Sequence, residues 1–144
     1  MKRLHVHISV ENLEDNIRFY STVFASEPTI QHDDYAKWML DDPRVNFAIS
    51  NRSAKTGIDH LGMQADNDEE LAELKQRLDL TQKPIESQEN TGCCYAKSDK
   101  HWVTDPQGIA WESFHSLSEI PTFNESDQAP AQDSACCAPK IPTA

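Results

Sequence analysis

Two sets of residues in this 144-residue chain have types and spacing that could do chemistry. The first is an adjacent thiol pair, Cys93 and Cys94, in the stretch TGCCYAKSDKHWVTDPQGIAWESF from Thr91 to Phe114. The only other cysteines, Cys136 and Cys137, are also adjacent. No CxxC spacing occurs, so this is not a zinc-finger pattern. Neighbouring thiolates are soft donors and prefer thiophilic partners. In a regular strand adjacent side chains point opposite ways. For both sulfurs to hold one ligand the pair must lie in a bend, and Thr91-Gly92 just before it permits one. The second set is His5, His60 and Glu112, which the primary sequence scatters and a duplicated fold would gather.

The duplication is visible in two matches that occur in the same order. HVHISVEN (His5 to Asn12) corresponds to HLGMQADN (His60 to Asn67), each a histidine with an asparagine seven positions on, before a helix. WMLDDPRVNFAIS (Trp38 to Ser50) corresponds to WVTDPQGIAWESF (Trp102 to Phe114), each a tryptophan, a strand, an Asp-Pro turn and another strand. His5 and His60 thereby open equivalent strands. If the two halves pair about a pseudo-twofold axis, both imidazoles can enter one cavity. Glu112 lies in the last strand among aromatics, where a carboxylate needs water or a positive partner. Two imidazoles and one carboxylate suit a divalent first-row metal and leave coordination positions open for substrate or dioxygen. The matching strand of the first half, RVNFAIS, has Asn46 and Ala48 but no carboxylate. A four-ligand site would suit Lewis-acid isomerisation; three ligands leave room for oxygen chemistry. His7 shares a strand face with His5, and the choice between them as ligand stays open.

The elements that must position these residues follow from periodicity. LHVHISV alternates like a strand, with His5, His7 and Ser9 on one face. Leu13, Ile17, Tyr20 and Phe24 fall at helical spacing behind the N-cap Asn12, and Leu71, Leu74 and Leu78 do so behind Asn67. Strands are predicted over Thr29–Gln31, Ala36–Leu40, Val45–Ser50, Ile58–Ala65, Cys94–Lys97, Trp102–Thr104 and Ile109–Ser116. The fold class is α+β, two paired βαβββ modules. Module one spans 1–51 and module two 57–117, across a polar break. Residues 118–144, with four prolines and no periodicity, read as a disordered tail carrying Cys136 and Cys137.

Hydrophobic residues make up 38% of the chain, enough for a core, and no apolar run approaches a membrane span. A net charge of −11 repels nucleic acid and anionic lipid. The basic start MKRLHVHISVENL alternates and turns acidic, unlike a secretory leader. These features predict a cytoplasmic protein with four free thiols.

The paired modules, His5, the DHLG motif at Asp59–Gly62 and WVTDPQGIAWESF together resemble the vicinal oxygen chelate superfamily of glyoxalases, extradiol dioxygenases and bleomycin resistance proteins. Within it, CCYA…WVTDP…WE resembles the ArsI/CadI group of organoarsenical carbon–arsenic lyases and cadmium-induced proteins. The resemblance covers about residues 1–117, and an ACCAP tail is common in the group. It implies that His5, His60 and Glu112 hold Fe(II), with Ni, Zn or Mn as other divalent candidates. Some carbon–arsenic lyases carry Gln at the His5 position. It implies also that Cys93 and Cys94 hold a trivalent organoarsenical, that O2 is the co-substrate, and that formaldehyde leaves when the substrate is methylated. Tyr95, Lys97 and Lys100 are accessory candidates for lowering thiol pKa or closing the loop, and Cys136 and Cys137 for ferrying arsenic. A homodimer is expected from the superfamily. Two rivals remain: a cadmium- or arsenite-binding protein without catalysis, and a glyoxalase-type metalloenzyme, which would need a fourth carboxylate.

Overall fold

The computed structural model describes residues 1–123 together with Ala138, Pro139 and Ile141. Its elements run β1 (Arg3–Ser9), α1 (Leu13–Phe24), β2 (Ile30–His32), β3 (Tyr35–Asp41), β4 (Arg44–Ser50), then β5 (Gly57–Ala65), α2 (Asp68–Asp79), β6 (Glu86–Cys93), β7 (Ala96–Thr104) and β8 (Ala110–Glu119). The β-α-β-β-β order therefore occurs twice. Both helices begin where an asparagine side chain satisfies an orphan N–H: Asn12 accepts from the Asp15 amide and Asn67 from the Glu70 amide.

One eight-stranded sheet carries both repeats, in the order β2-β3-β4-β1-β5-β8-β7-β6. β1 and β5 pair antiparallel at its centre, and each is flanked by a parallel partner, β4 and β8. The two modules are thus paired within one chain. Side-chain alternation divides the sheet into two faces. On one, Val45, Phe47, Ile49, Trp38 and Ala36 pack with α1 residues Leu13, Ile17, Tyr20 and Phe24. A smaller cluster of Ala65, Leu71 and Leu74 does the same under α2. The other, inner face collects the polar residues: His5, His7, Ser9, Asn46, Ser50, His60, Ser98, Lys100 and Glu112 are all buried.

Three expectations need correction. Of the strand expected over Cys94–Lys97 only Ala96 and Lys97 are extended, and they open β7, which runs on to Thr104. Cys93 pairs with Ala96, so Cys94 and Tyr95 form a two-residue hairpin turn. The strand before it, β6, escapes detection because ESQENTGC offers no apolar alternation. It lies at the sheet edge, where both faces can stay wet. Second, Trp38 and Trp102 are not spatial equivalents. Trp38 lies opposite Phe47 and faces α1, whereas Trp102 lies opposite Glu112 and faces inward. The two-residue Asp42-Pro43 turn and the five-residue 105–109 loop close their hairpins differently, and the resulting one-residue slip inverts β7. Third, the chain stays packed past residue 117. β8 reaches Glu119, and Phe123 is buried against Tyr35 and Tyr95. Cys136 and Cys137 lie outside the described residues.

Gly62 sets the approach of β5 and β8 at the site. A Cβ there would collide with the Glu112 carbonyl oxygen, a backbone atom that cannot swing aside. Gly62→Ala is therefore expected to push β8 off β5 and cost about 1–3 kcal/mol. A thermal melt should show this as a loss of roughly 2–4 °C per kcal/mol, and an unchanged melt would contradict the tight approach.

Candidate functional site

β1, β5 and β8 lie side by side, so His5, His60 and Glu112 converge although 107 residues separate the first from the last. His5 Nε2 lies 3.1 Å from His60 Nε2. Glu112 Oε2 lies 3.2 Å from His60 Nε2 and 3.8 Å from His5 Nε2. Donors bound cis at about 2.1 Å to one ion stand roughly 3.0–3.4 Å apart, so two separations fit a shared ion and the third needs a wider angle.

The far side of each group has its own partner. His5 Nδ1 lies 3.1 Å from the Asn46 carbonyl oxygen, and His60 Nδ1 lies 2.6 Å from Asp59 Oδ1. With these nitrogens donating, both Nε2 atoms point inward. Lys100 Nζ donates to Glu112 Oε1 at 2.7 Å and leaves Oε2 for the centre. Such outer partners are the usual means of fixing ligand orientation.

Burial disfavours the His60 cation, but the Asp59 and Glu112 carboxylates outweigh it and raise its pKa to about 9. Burial pushes His5 down to about 3, helped by the charge on His60. Burial alone would raise the Glu112 carboxyl, yet Lys100 and His60 hold it well below the usual carboxylate range. Near pH 7 the metal-free site therefore holds a neutral His5, a protonated His60 and an ionised Glu112. An ion that takes His60 Nε2 must expel a proton. Divalent-metal affinity of the metal-free protein is expected to rise about tenfold per pH unit between pH 7 and 9, then level off. Proton release measured by calorimetry in two buffers checks this; no release at pH 7 would exclude a protonated His60.

Repeat symmetry explains why there are three such groups. His7 is the cross-strand partner of Ala48 and Gly62 that of Glu112. With His5 matching His60, Ala48 occupies the position equivalent to Glu112. It is fully buried and carries no donor.

The thiols meet in the turn between β6 and β7. Cys94 and Tyr95 both adopt left-handed backbone, φ 55° and 62°, as a primed hairpin turn requires. The bend is thus at Cys94 itself rather than at Thr91-Gly92. It places the Cys93 and Cys94 sulfurs 3.3 Å apart. Neither turn residue is a glycine, and such conformations persist where the surroundings or a function demand them. Cys93 is disulfide-bonded, a correction to the expectation of four thiols.

A cavity of about 30 Å³ joins the two sets: Cys93, Cys94, His5 and Glu112 all line it, with Lys37, Asn46 and Lys100. Tyr95 and Lys97 are not among its lining residues. Tyr95 turns outward, stacks on His32 at 3.6 Å and donates to Asp34. Through these contacts it anchors the turn. Lys97 lies on the other face of β7 from Lys100, by strand alternation. Sequence reasoning missed Lys37, an alternating residue of β3 without a motif. It also missed Asn46 Oδ1 as a buried acceptor with no partner among the described residues.

The sequence from residue 2 to 113 matches the profile of the Glyoxalase/Bleomycin resistance protein/Dioxygenase superfamily. A trivalent organoarsenical cleaving enzyme of Bacillus sp. (strain MD1) is 39% identical, over 96% of this chain and 92% of the relative. The cadmium-induced protein CadI of Mycobacterium tuberculosis is 32% identical over 95% of this chain and 93% of its own. Among solved structures, homoprotocatechuate 2,3-dioxygenase from Brevibacterium fuscum superposes with a TM-score of 0.62 at 11% identity, covering 91% of this chain and 36% of that one. An Mn(II)-bound glyoxalase from Novosphingobium aromaticivorans gives 0.58 at 15%, covering 88% and 44%. These two likenesses speak for the fold. No described helix is long and apolar enough to cross a membrane. Fold, repeat and sequence together place the chain in the glyoxalase/bleomycin resistance/dioxygenase superfamily, in the group that holds the trivalent organoarsenical cleaving enzymes and the cadmium-induced proteins.

Proposed function

We propose that this protein is an Fe(II)- and O2-dependent carbon–arsenic lyase that converts trivalent organoarsenicals such as methylarsonous acid to arsenite. The observation that carries the reading is the shared cavity: Cys93 and Cys94 line one small space with His5 and Glu112, whose inner donor atoms meet His60 Nε2. The Bacillus relative's name supports the substrate class. His5, His60 and Glu112 fit a divalent ion, because their inner donor atoms converge while Asn46, Asp59 and Lys100 hold the outer ones. When bound, the ion supplies open coordination positions and the electron chemistry that lets dioxygen react at the carbon on arsenic.

The chain's own part is capture and placement. In the reduced protein each thiol proton leaves with an arsenic hydroxyl as water, and two As–S bonds form. Two thiolates on a tetrahedral zinc stand about 3.8 Å apart. The 3.3 Å found here suits the narrower angle at a pyramidal As(III) centre. Bound this way, the arsenic presents its carbon to the cavity, and proximity replaces a bimolecular encounter. The space of about 30 Å³ admits one or two water-sized groups, which favours a methyl over an aryl substituent. One methylarsonous acid and one dioxygen balance to one formaldehyde and one arsenous acid. Ala48 at the fourth-ligand position weighs against a glyoxalase-type isomerase.

The test is anaerobic. The protein is reduced, loaded with Fe(II), given methylarsonous acid and then oxygen, and the arsenic species are separated. Arsenite from the wild type, and none from Cys93→Ser/Cys94→Ser, is the expected result. Methylarsonous acid bound but unchanged would overturn the lyase and leave a sequestering protein. Without reductant the oxidised Cys93 should prevent capture.

A further inference from the structure

His7 has no part in the capture or metal chemistry above, yet it is fully buried beside both sets of donors. Its Nε2 lies 2.8 Å from Ser50 Oγ on β4, and its Nδ1 lies 4.0 Å from Cys94 Sγ. With Nε2–H donating to the serine hydroxyl, the Nδ1 lone pair faces the thiol. A ring nitrogen aimed at one site while the other is anchored is the arrangement metal-binding histidines adopt. Cys94 Sγ in turn lies 3.3 Å from Cys93 Sγ.

We propose that in the reduced protein Cys93, Cys94 and His7 form a second cation site, for a thiophilic divalent ion such as Cd(II) or Zn(II), separate from the His5, His60 and Glu112 donors. Two thiolates and an imidazole are a donor set such ions favour. Zinc bonds of about 2.3 Å to sulfur and 2.0 Å to nitrogen put the two atoms roughly 3.6 Å apart at a tetrahedral centre. The 4.0 Å between Cys94 and His7 suits a somewhat larger ion, for which the two sulfurs must open from the 3.3 Å they hold here. An arsenical that keeps its carbon is satisfied by two sulfurs. A divalent ion gains a third bond from His7, so it competes with the arsenical for the same thiols. The His7 ring lies 4.7 Å from the His60 ring, and the two sites adjoin. The rival arrangement is an ion on His5, His7 and His60, whose donor atoms lie within 4.8 Å of one another. This inference shares its thiols with the lyase reading but does not depend on arsenical cleavage.

The experiment uses the full chain, reduced and metal-free under argon, titrated with Cd(II). Thiolate-to-cadmium charge-transfer absorption reports sulfur binding, and X-ray absorption at the cadmium edge reports nitrogen. The wild type should show the ultraviolet band and a shell of two sulfurs with nitrogen. His7→Asn, which can still bond Ser50, should retain the band while its midpoint moves to about 100-fold higher free Cd(II), at the upper end of what even an outer-sphere loss costs. A His7→Asn midpoint equal to wild type would overturn the role of His7. So would a wild-type shell of two sulfurs and no nitrogen, a reading that needs no variant to fold. Cadmium bound without the band would move the site to the three imidazoles and overturn the proposal outright.

Discussion

Glu112→Ala is expected to destroy divalent-metal binding and to destabilise the metal-free protein by about 3–5 kcal/mol, because it strands Lys100 as an unpaired charge inside the sheet. Both partners are buried, at 6% and 3% exposure, and the pair is short at 2.7 Å. Against a total stability of roughly 5–15 kcal/mol this is a large fraction. The two effects can be separated. Glu112→Ala/Lys100→Met removes the stranded ammonium and should recover most of the denaturation midpoint, but no metal affinity. Calorimetric metal titration and urea melts on both variants check this. Full metal binding by Glu112→Ala would remove Glu112 from the site.

Cys94→Gly is expected to make the protein more stable and useless for arsenic capture. Glycine accepts the left-handed backbone at φ 55° without a Cβ penalty, so the reduced variant should gain about 1 kcal/mol. Closing the second As–S bond within one molecule is the source of chelate affinity, and its loss should weaken arsenical binding by roughly 100- to 10,000-fold. The prediction joins two readouts of opposite sign on one substitution, which an inert structural turn would not produce. A drop in stability, or undiminished arsenical binding, would contradict the assignment of this turn.

Much of this site was legible in the sequence. His5, His60 and Glu112 could be grouped because the repeat put the histidines at equivalent places and the last strand was strongly patterned. The helices were legible because Asn12 and Asn67 cap apolar stripes. The geometry of the thiols was not. The left-handed turn sits on cysteine and tyrosine, residues with no preference for that conformation, and β6 has no apolar alternation to mark it. Lys100 could be named only as an accessory to the thiols, because its pairing with Glu112 depends on cross-strand register. That register depends on how the 105–109 loop closes. The packing of Phe123 was hidden because an isolated aromatic in a proline-rich segment has no periodic signal.

The slipped hairpin acts as a parity selector for the charge of the site. β7 carries Ser98, Lys100 and Trp102 on one parity and Asp99 and His101 on the other. Had the second repeat closed like the first, the odd set would face inward and Asp99 would join Glu112, two carboxylates where one cation now stands. The segments from Trp38 to Ser50 and from Trp102 to Phe114 are equally long, so no insertion distinguishes them. After a gene duplication, the shape of one loop is enough to invert a strand, replace a helix-facing tryptophan with one packed against His60, and make one copy of an ancestral repeat electrostatically distinct from the other.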